Sequence, residues 1–364
     1  MSDVPKVKIL FTIPNFDTAG SGKVVYDLVK GIDKTKFDIE IACAHNRGAF
    51  FKTVEALGCP IHIFDTKTKY RPYYSLLFRV LPISKFYKKN NYDVVHSWQW
   101  SNDWTEAIAA RLAGTKWIYT KKAMGFNKHW KIKSQLAHFI ITINDEMKMY
   151  FPNKKNQKLI PLGIDTTYYS SSQFKKSKSE FFEIITVANL VPVKGIEVLI
   201  RAVHHLNDRN IRLSILGDND NDYGKTMHNL CAELDLLDQV VFHGKVLDVR
   251  PYITDSDLYV IPTLNQGRKE GMPMALVEAM SMGIPILGSD ITGINYVLKD
   301  FKTLLFPAGD YKALAKKIKH TQQLNSDERE KIGASLRAYC VNNFTMHSFI
   351  KAHEDLYTEL TVKN

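Results

Sequence analysis

Glu270 and Glu278 stand eight residues apart in EGMPMALVEAM, separated by a Gly-Met-Pro turn and a run of good helix formers. Pro273 falls where a first-turn proline is favoured, so residues 274–280 read as helix, with Glu270 in the preceding loop and Glu278 in the second turn. The first amides of such a helix have no partner within it and lie at the positive end of its dipole, which makes an anion site that needs no metal. Carboxylates on either side of a bound phosphate would be repelled unless each had hydroxyls to grip. Sugar rings supply them, and a nucleotide sugar has a hexose on one side of its diphosphate and a ribose on the other. The spacing suits Glu270 to the hexose and Glu278 to the ribose. On this motif alone, Glu278 as a merely exposed helix residue remains the alternative.

Such a turn reaches a ligand only if it leaves a strand end. Along the chain, short β-branched or apolar runs alternate with helical patterns, the signature of parallel sheets covered by helices. The first half reads KVKILFTI, a helix over about residues 22–32, FDIEIACA, IHIF, DVVHS, KWIYT and FIITIN. The second starts again with FFEIITVAN, a helix over about residues 195–207, IRLSILG, VVFHG, LYVIP and PILGSD. Between them, LIPLGIDTTYYSSSQFKKSKSE is rich in Ser and Lys and poor in apolar residues, and reads as a linker. A chain of 364 residues suits two domains. The expected fold class is α/β: two Rossmann-like domains, residues 1–165 and 166–344, with a cleft between them. Ligands of open α/β sheets bind outside the carboxyl ends of the strands, which singles out Asn15, His96, Asn189, Gly217, Gly244 and Pro262.

The first strand-end loop, NFDTAGSGKVVYDL, resembles a P-loop only in part. Asp17 stands where that motif needs Gly and Val24 where it needs Ser or Thr, and Val25 spoils a G-x-G-x-x-G fingerprint. What is left is a small-residue loop whose Gly20 and Gly22 either bring amides close to an anion or sugar or simply make a tight turn. DNDND, residues 218–222, lacks the Gly and Glu of a calcium loop at Tyr223 and Asn229. Gly217, just after a strand, reads as a close-approach position. His96 ends a strand and reads as ligand-facing, with a packed histidine as the alternative. Trp98, Trp100 and Trp104 could stack on a sugar, although packing against the sheet is the expected use of at least two.

The net charge of +11 is unevenly spread: residues 1–165 carry +12 and the remainder −1. The excess gathers in KTKYR, KFYKK, KK at Lys121 and Lys122, and KHWKIK, where aromatic residues alternate with basic ones. Such a mixture suits an anionic membrane surface or a polyanion, or else a solvated basic face. No recognition-helix, zinc or RNP motif accompanies it, so nucleic acid is not the expected partner. The four cysteines form no C-x-x-C pair and read as buried free thiols. No signal-peptide pattern opens the chain and no run approaches the roughly 18 apolar residues of a membrane span. A cytoplasmic protein is expected, soluble or peripheral at the inner membrane face.

TVANLVPVKGIEVLIRAV, LSILGDN, VVFHGKV and EGMPMALVEAMSMGIPILGSD, in this order, resemble the motifs of the retaining glycosyltransferases of family 4, which have the GT-B fold. LIPLGID resembles their interdomain hinge, and NNFTMHSFIKAHEDLY the helix, here about residues 345–364, that crosses back to the first domain. The resemblance implies that Lys194 contacts the diphosphate, Glu278 the ribose, and Glu270 with the backbone around Gly271, Met272, Pro273 and Met274 the transferred sugar. It places Val246 at the base, Asn189 and Gly217 beside the donor, and His96 and the Gly20–Gly22 loop on the amino-terminal side; His96, Lys194 and Glu270 are the implied catalytic residues. The implied reaction moves a hexose from a UDP- or GDP-type nucleotide sugar to a hydroxyl acceptor, lipid-linked or soluble, with retention and with no metal or other cofactor. A catalytically weak sugar- or nucleic-acid-binding protein of the same fold is the alternative from another class. One departure stands out: the family usually has Arg where this chain has Asn189, and Arg268 or Lys269 could supply the missing charge.

Overall fold

A computed structural model describes residues 5–17, 19–267 and 270–362. Arg268 and Lys269 lie outside the described residues. The chain forms two compact units, Met1–Gly163 with Met346–Asn364, and Ile164–Thr345.

The first unit is built on seven strands: β1 (Val7–Ile13), β2 (Phe37–Cys43), β3 (Ile61–Ile63), β4 (Val94–Ser97), β5 (Lys116–Lys121), β6 (Phe139–Thr142) and β7 (Gln157–Leu159). All pairs are parallel, in the order β3-β2-β1-β4-β5-β6-β7. β1 and β4 are central, so their apolar runs are covered on both faces and buried. The Leu76–Lys89 helix turns Leu76, Val80, Ile83 and Tyr87 inward, at spacings of four, three and four residues that define one helical face. The carboxyl-terminal helix, Met346–Thr361, completes this unit. Its Phe349, His353, Leu356 and Tyr357 form a buried stripe, and the Tyr357 ring meets Phe11 and Phe37 edge-on at 6.3 and 6.0 Å. Asp33 N donates to Glu354 Oε1 at 2.8 Å. Burial of three large apolar side chains at about 1.5–3 kcal/mol each makes the helix part of the core.

The second unit has six strands, β8 (Phe182–Val187), β9 (Ile211–Leu216), β10 (Val240–Gly244), β11 (Leu258–Ile261), β12 (Ile286–Ser289) and β13 (Leu305–Phe306). They are parallel in the order β10-β9-β8-β11-β12-β13. The Ile196–Leu206 helix lays Ile196, Leu199, Ile200 and Val203 on this sheet. Ser326–Asn343, the longest helix, starts with a reciprocal Asn325–Glu328 capping box.

The stretch read as a linker is fastened to the second unit. Ile164 N donates to Phe344 O at 2.8 Å, and Ser281 Oγ donates to Tyr169 O at 2.7 Å. The Arg250 guanidinium lies 3.6 Å over the Tyr168 ring and donates to Tyr168 O and Gln173 Oε1. Its polar composition serves to satisfy irregular backbone, which a Ser- and Lys-rich sequence does not distinguish from a loose tether. Among the described residues no helix is long and apolar enough to cross a membrane. Cys43, Cys231 and Cys340 are buried free thiols, held well above the usual range by burial, while Cys59 is only half-buried.

Candidate active site

In the second unit the strand order reverses between β8 and β11, and the loops leaving those two strands flank the resulting crevice. Leu264 N donates to Val193 O at 2.8 Å and ties the loops together. Lys194 ends a single 3₁₀ turn, Pro192–Lys194, and Gly195 follows it with φ +65°. A Cβ on Gly195 would lie 2.2 Å from Pro262 O, so only glycine allows so close an approach of the two backbones. The approach carries the Lys194 ammonium to the Glu270 carboxylate, and the two form an ion pair, Nζ to Oε1, with side chains 23% and 26% exposed. From the β12 side, Gly293 (φ +87°) abuts the Glu270 and Gly271 carbonyls, where a Cβ would come within 2.7 and 2.9 Å.

Gly271, Met272 and Pro273 are buried, and the Met274–Met282 helix starts immediately after them. Pro273 is its N-cap residue, with ψ 109°, rather than a member of the first turn. The helix follows the loop that leaves β11, and in its first turn Leu276 N donates to Pro273 O at 3.1 Å. Glu278 is half-buried in the second turn. Burial first, and then the charges of Glu278 and Glu270, push the buried Tyr259 hydroxyl well above the usual tyrosine range. The two carboxylates therefore act on one locality.

The remaining strand-end positions of this unit lie along the same edge. Asn189 is exposed just beyond β8. Gly217, with φ +144°, presses on Ala188 O, where a Cβ would stand at 1.8 Å, and its amide donates to Gly244 O at 2.9 Å. Val246, two residues past Gly244, is half-buried. The DNDND stretch builds a helix start: Asn221 Oδ1 accepts from Gly224 N at 2.9 Å. Among the described residues no group of three or more His, Cys, Asp or Glu side chains is placed to hold a metal. Sequence reasoning missed Tyr259 and Gly293 as parts of this site.

In the first unit the order reverses between β1 and β4. Gly20 departs from helical geometry (φ 3°, ψ −119°) in the Ala19–Gly31 helix, and Gly22 is buried against the Phe16 ring. His96 does not face a ligand. It is the penultimate residue of β4, fully buried, with Nδ1 2.6 Å from the Tyr357 hydroxyl and Nε2 2.7 Å from Thr120 Oγ1. Burial, followed by His353 and Lys122, lowers its pKa well below the usual value, so the ring is neutral. Both nitrogens are occupied by the core, and the catalytic reading of His96 is corrected to a packing one. Trp98 and Trp104 are buried and Trp100 is 45% exposed. Trp98 Nε1, Gln99 Oε1 and Ser101 Oγ, all just past β4, are buried without a hydrogen-bond partner, as is Thr12 Oγ1 at the end of β1.

The basic clusters also need correction. Lys133 of KHWKIK is buried, with Nζ 3.9 Å from the Tyr119 ring centroid and donating to Ser101 O at 3.0 Å. Lys121 is buried too, 4.0 Å over the Trp130 ring and donating to Gly125 O at 2.6 Å. Aromatic faces and backbone carbonyls compensate both ammonium groups inside the fold. Only part of the excess charge is on the surface.

Two Rossmann-like parallel-sheet domains, one with a helix amino terminus and a lysine at its switch point, define a protein of the GT-B class. Residues 18–168 match the family model described as Glycosyltransferase Family 4, and residues 170–338 the one described as Glycosyl transferases group 1. The chain is 32% identical to the putative colanic acid biosynthesis glycosyltransferase WcaL of Escherichia coli K12, over 46% of this chain and 42% of that relative. It therefore spans less than half of WcaL. It is 24% identical to the capsular polysaccharide biosynthesis glycosyltransferase CapH of Staphylococcus aureus, over 86% and 92% of the two chains. It is 24% identical, over 78% and 79%, to the UDP-Gal:alpha-D-GlcNAc-diphosphoundecaprenol alpha-1,3-galactosyltransferase of Escherichia coli. Among solved structures, a glycosyltransferase from Rickettsia africae ESF-5 superposes with a TM-score of 0.88 at 17% identity, covering 99% of this chain and all of that one. Anabaena HepE in complex with UDP superposes with a TM-score of 0.81 at 19% identity, covering 97% and 100%, and HepE is also known in complex with UDP-glucose. The chain shares the GT-B fold, and residues 18–168 and 170–338 each match a glycosyltransferase family model.

Proposed function

We propose that the protein transfers a hexose from a UDP- or GDP-type nucleotide sugar to a hydroxyl on a lipid-linked intermediate of polysaccharide assembly, with retention and without a metal ion. The observation that carries this reading is the Lys194–Glu270 pair set beside the amino terminus of the Met274–Met282 helix, at the switch point of the second sheet. In this reading the diphosphate takes Lys194 and the first-turn amides, and Glu270 is freed to hold the hydroxyls of the hexose. Glu278 holds the ribose, and Val246 lies along the base. The bond from the anomeric carbon to the phosphate oxygen breaks, and a bond to the acceptor oxygen forms on the same face. The acceptor proton passes to the departing phosphate oxygen, while Lys194 and the amides offset the charge that develops there.

The named acceptor of the Escherichia coli galactosyltransferase supports a lipid diphosphate carrier, and HepE with UDP and UDP-glucose supports a uridine donor. The exposed Trp100, just past β4, is the side chain of the first unit that suits stacking on a sugar acceptor. Asn189 can still donate hydrogen bonds to the diphosphate but adds no charge. The test is thermal unfolding with UDP-, GDP-, ADP- and dTDP-sugars, where a ligand at 100 times its Kd adds about 2.7 kcal/mol. Transfer is then assayed with the stabilising donor in the presence of a chelator, and the anomeric configuration of the product is read by NMR. Activity lost with chelator, or an inverted product, would overturn the corresponding part.

A further inference from the structure

Between Asp65 and Asp93 the chain has no acidic residue and seven basic ones: Lys67, Lys69, Arg71, Arg79, Lys85, Lys88 and Lys89. The Leu76–Lys89 helix lies in this stretch and is apolar on two faces. Its inner face packs into the first unit. On its outer face Leu77, Phe78 and Leu81 are exposed, preceded by Tyr73 and Tyr74, with Phe78 76% and Tyr74 88% exposed. From Lys85 onward the outward positions are lysines, and Lys69 and Arg71 are exposed on the other flank.

The apolar tip is held in a fixed shape. Arg79 donates to Lys69 O at 3.1 and 2.9 Å, to Pro72 O at 2.9 Å and to Ser75 Oγ, which clips the preceding loop to the helix. The Arg71 guanidinium lies about 6 Å from both the Tyr70 and Tyr73 rings. A contiguous cluster of five large apolar side chains in water is a marked cost for a protein that never covers it. A second copy of this chain is a poor cover, because a two-fold contact would bring both sets of basic residues together.

We infer that residues 73–81 insert into an anionic lipid surface, with the flanking lysines and arginines on its headgroups. Aromatic and leucine side chains then sit at the boundary of the acyl chains, and the basic residues meet the negative surface potential. The inference rests on the lipid-linked acceptor proposed above, since it brings the enzyme to the plane where such an acceptor lies.

The 364-residue chain is sedimented with phosphatidylcholine vesicles with and without phosphatidylglycerol, at low and high salt. Wild type should bind the anionic vesicles and lose affinity as salt rises. Changing Tyr74→Ser, Leu77→Ser and Phe78→Ser together should lower binding roughly tenfold or more at every salt concentration, because the side chains lost are apolar. Changing Lys85→Glu, Lys88→Glu and Lys89→Glu together should instead abolish the preference for anionic lipid. Unchanged thermal unfolding and donor binding in each variant show that the fold is kept, as expected for exposed positions. Vesicle binding indifferent to the serine changes overturns the inference, as does self-association of wild type that those changes dissolve. Transfer to a lipid-linked acceptor separates the two readings. If transfer occurs but vesicle binding ignores the patch, docking is wrong and the acceptor right; if the patch binds vesicles but only soluble acceptors are used, the reverse holds.

Discussion

The Lys194 ammonium and the Glu270 carboxylate, 76 residues apart in sequence, meet in an ion pair between the loops that leave β8 and β11. Each side chain is about a quarter exposed, and such a pair adds only about 0–1 kcal/mol to stability. Its importance is positional. On the function proposed above, the cation assigned to the diphosphate rests against the carboxylate assigned to the sugar, and donor binding would exchange one partner for the other.

That exchange gives the two glutamates different signatures. Glu270→Gln should lower turnover while leaving the bare nucleoside diphosphate bound as well as before or up to several-fold tighter, since the competitor for Lys194 has lost its charge. Glu278→Ala should weaken nucleotide and intact donor alike, roughly tenfold, as expected for loss of a charged hydrogen bond. Calorimetric titration of both variants with nucleotide decides it, and equal losses would reject the division of labour.

Lys194→Ala should reduce turnover by more than two decades, on the order of the 2.7–4 kcal/mol lost with one transition-state donor. Asn189→Arg adds a charge at an exposed position on the same edge and should leave turnover unchanged or raise it. Steady-state kinetics at saturating donor are the readout; an inactive but folded Asn189→Arg enzyme would contradict the placement of the diphosphate.

Gly195→Ala puts a methyl against Pro262 O at a positive φ, whereas Gly267→Ala meets a positive φ (+60°) with open space around it. The second should cost about 1 kcal/mol and the first about 2–3 kcal/mol or more, because it also forces the loops apart. Only Gly195→Ala should weaken donor binding. Urea unfolding combined with nucleotide titration tests both halves of the statement.

Burial pushes the Lys133 ammonium down to about 7, against the attraction of Glu106 and Asp103. An ordinary lysine in the unfolded chain titrates near 10.4, so from about pH 7 to about pH 10 the unfolded state holds the extra proton and stability rises with pH. Below about pH 7 both states are protonated and this contribution is flat. Lys133→Met should remove a rise on the order of 1–3 kcal/mol across that window, seen by comparing urea midpoints at about pH 6 and about pH 9 for both proteins.

What could be read in the sequence follows what is local. The strands from FFEIITVAN to PILGSD, and the Ile196–Leu206 helix, show their period within a few residues; the strand-end rule then leads to Asn189 and Gly217, and the EGMPMALVEAM motif to Glu270. His96 was beyond such reading because its environment is set by Tyr357, 261 residues away. Lys133 was equally hidden: K-x-K among aromatic residues looks the same whether the rings face water or enclose the ammonium. YYSLLF has the composition of a core segment, and nothing nearby in sequence says that half of it has no neighbour. Gly293 gave no signal at all, as its demand comes from the backbone of Glu270 and Gly271.

The first unit needs Met346–Thr361 as a structural member, with Tyr357 bonded to His96 and Glu354 to the Asp33 amide. During synthesis that helix leaves the ribosome only after all of residues 164–345 have been made. The amino-terminal unit, first to emerge, is therefore the last to be finished. Until then the surface around Phe11, Phe37 and His96 waits uncovered, and the second unit, whose residues form one continuous stretch, has everything it needs to fold before it. A nascent chain cut short anywhere before this helix would display that surface permanently.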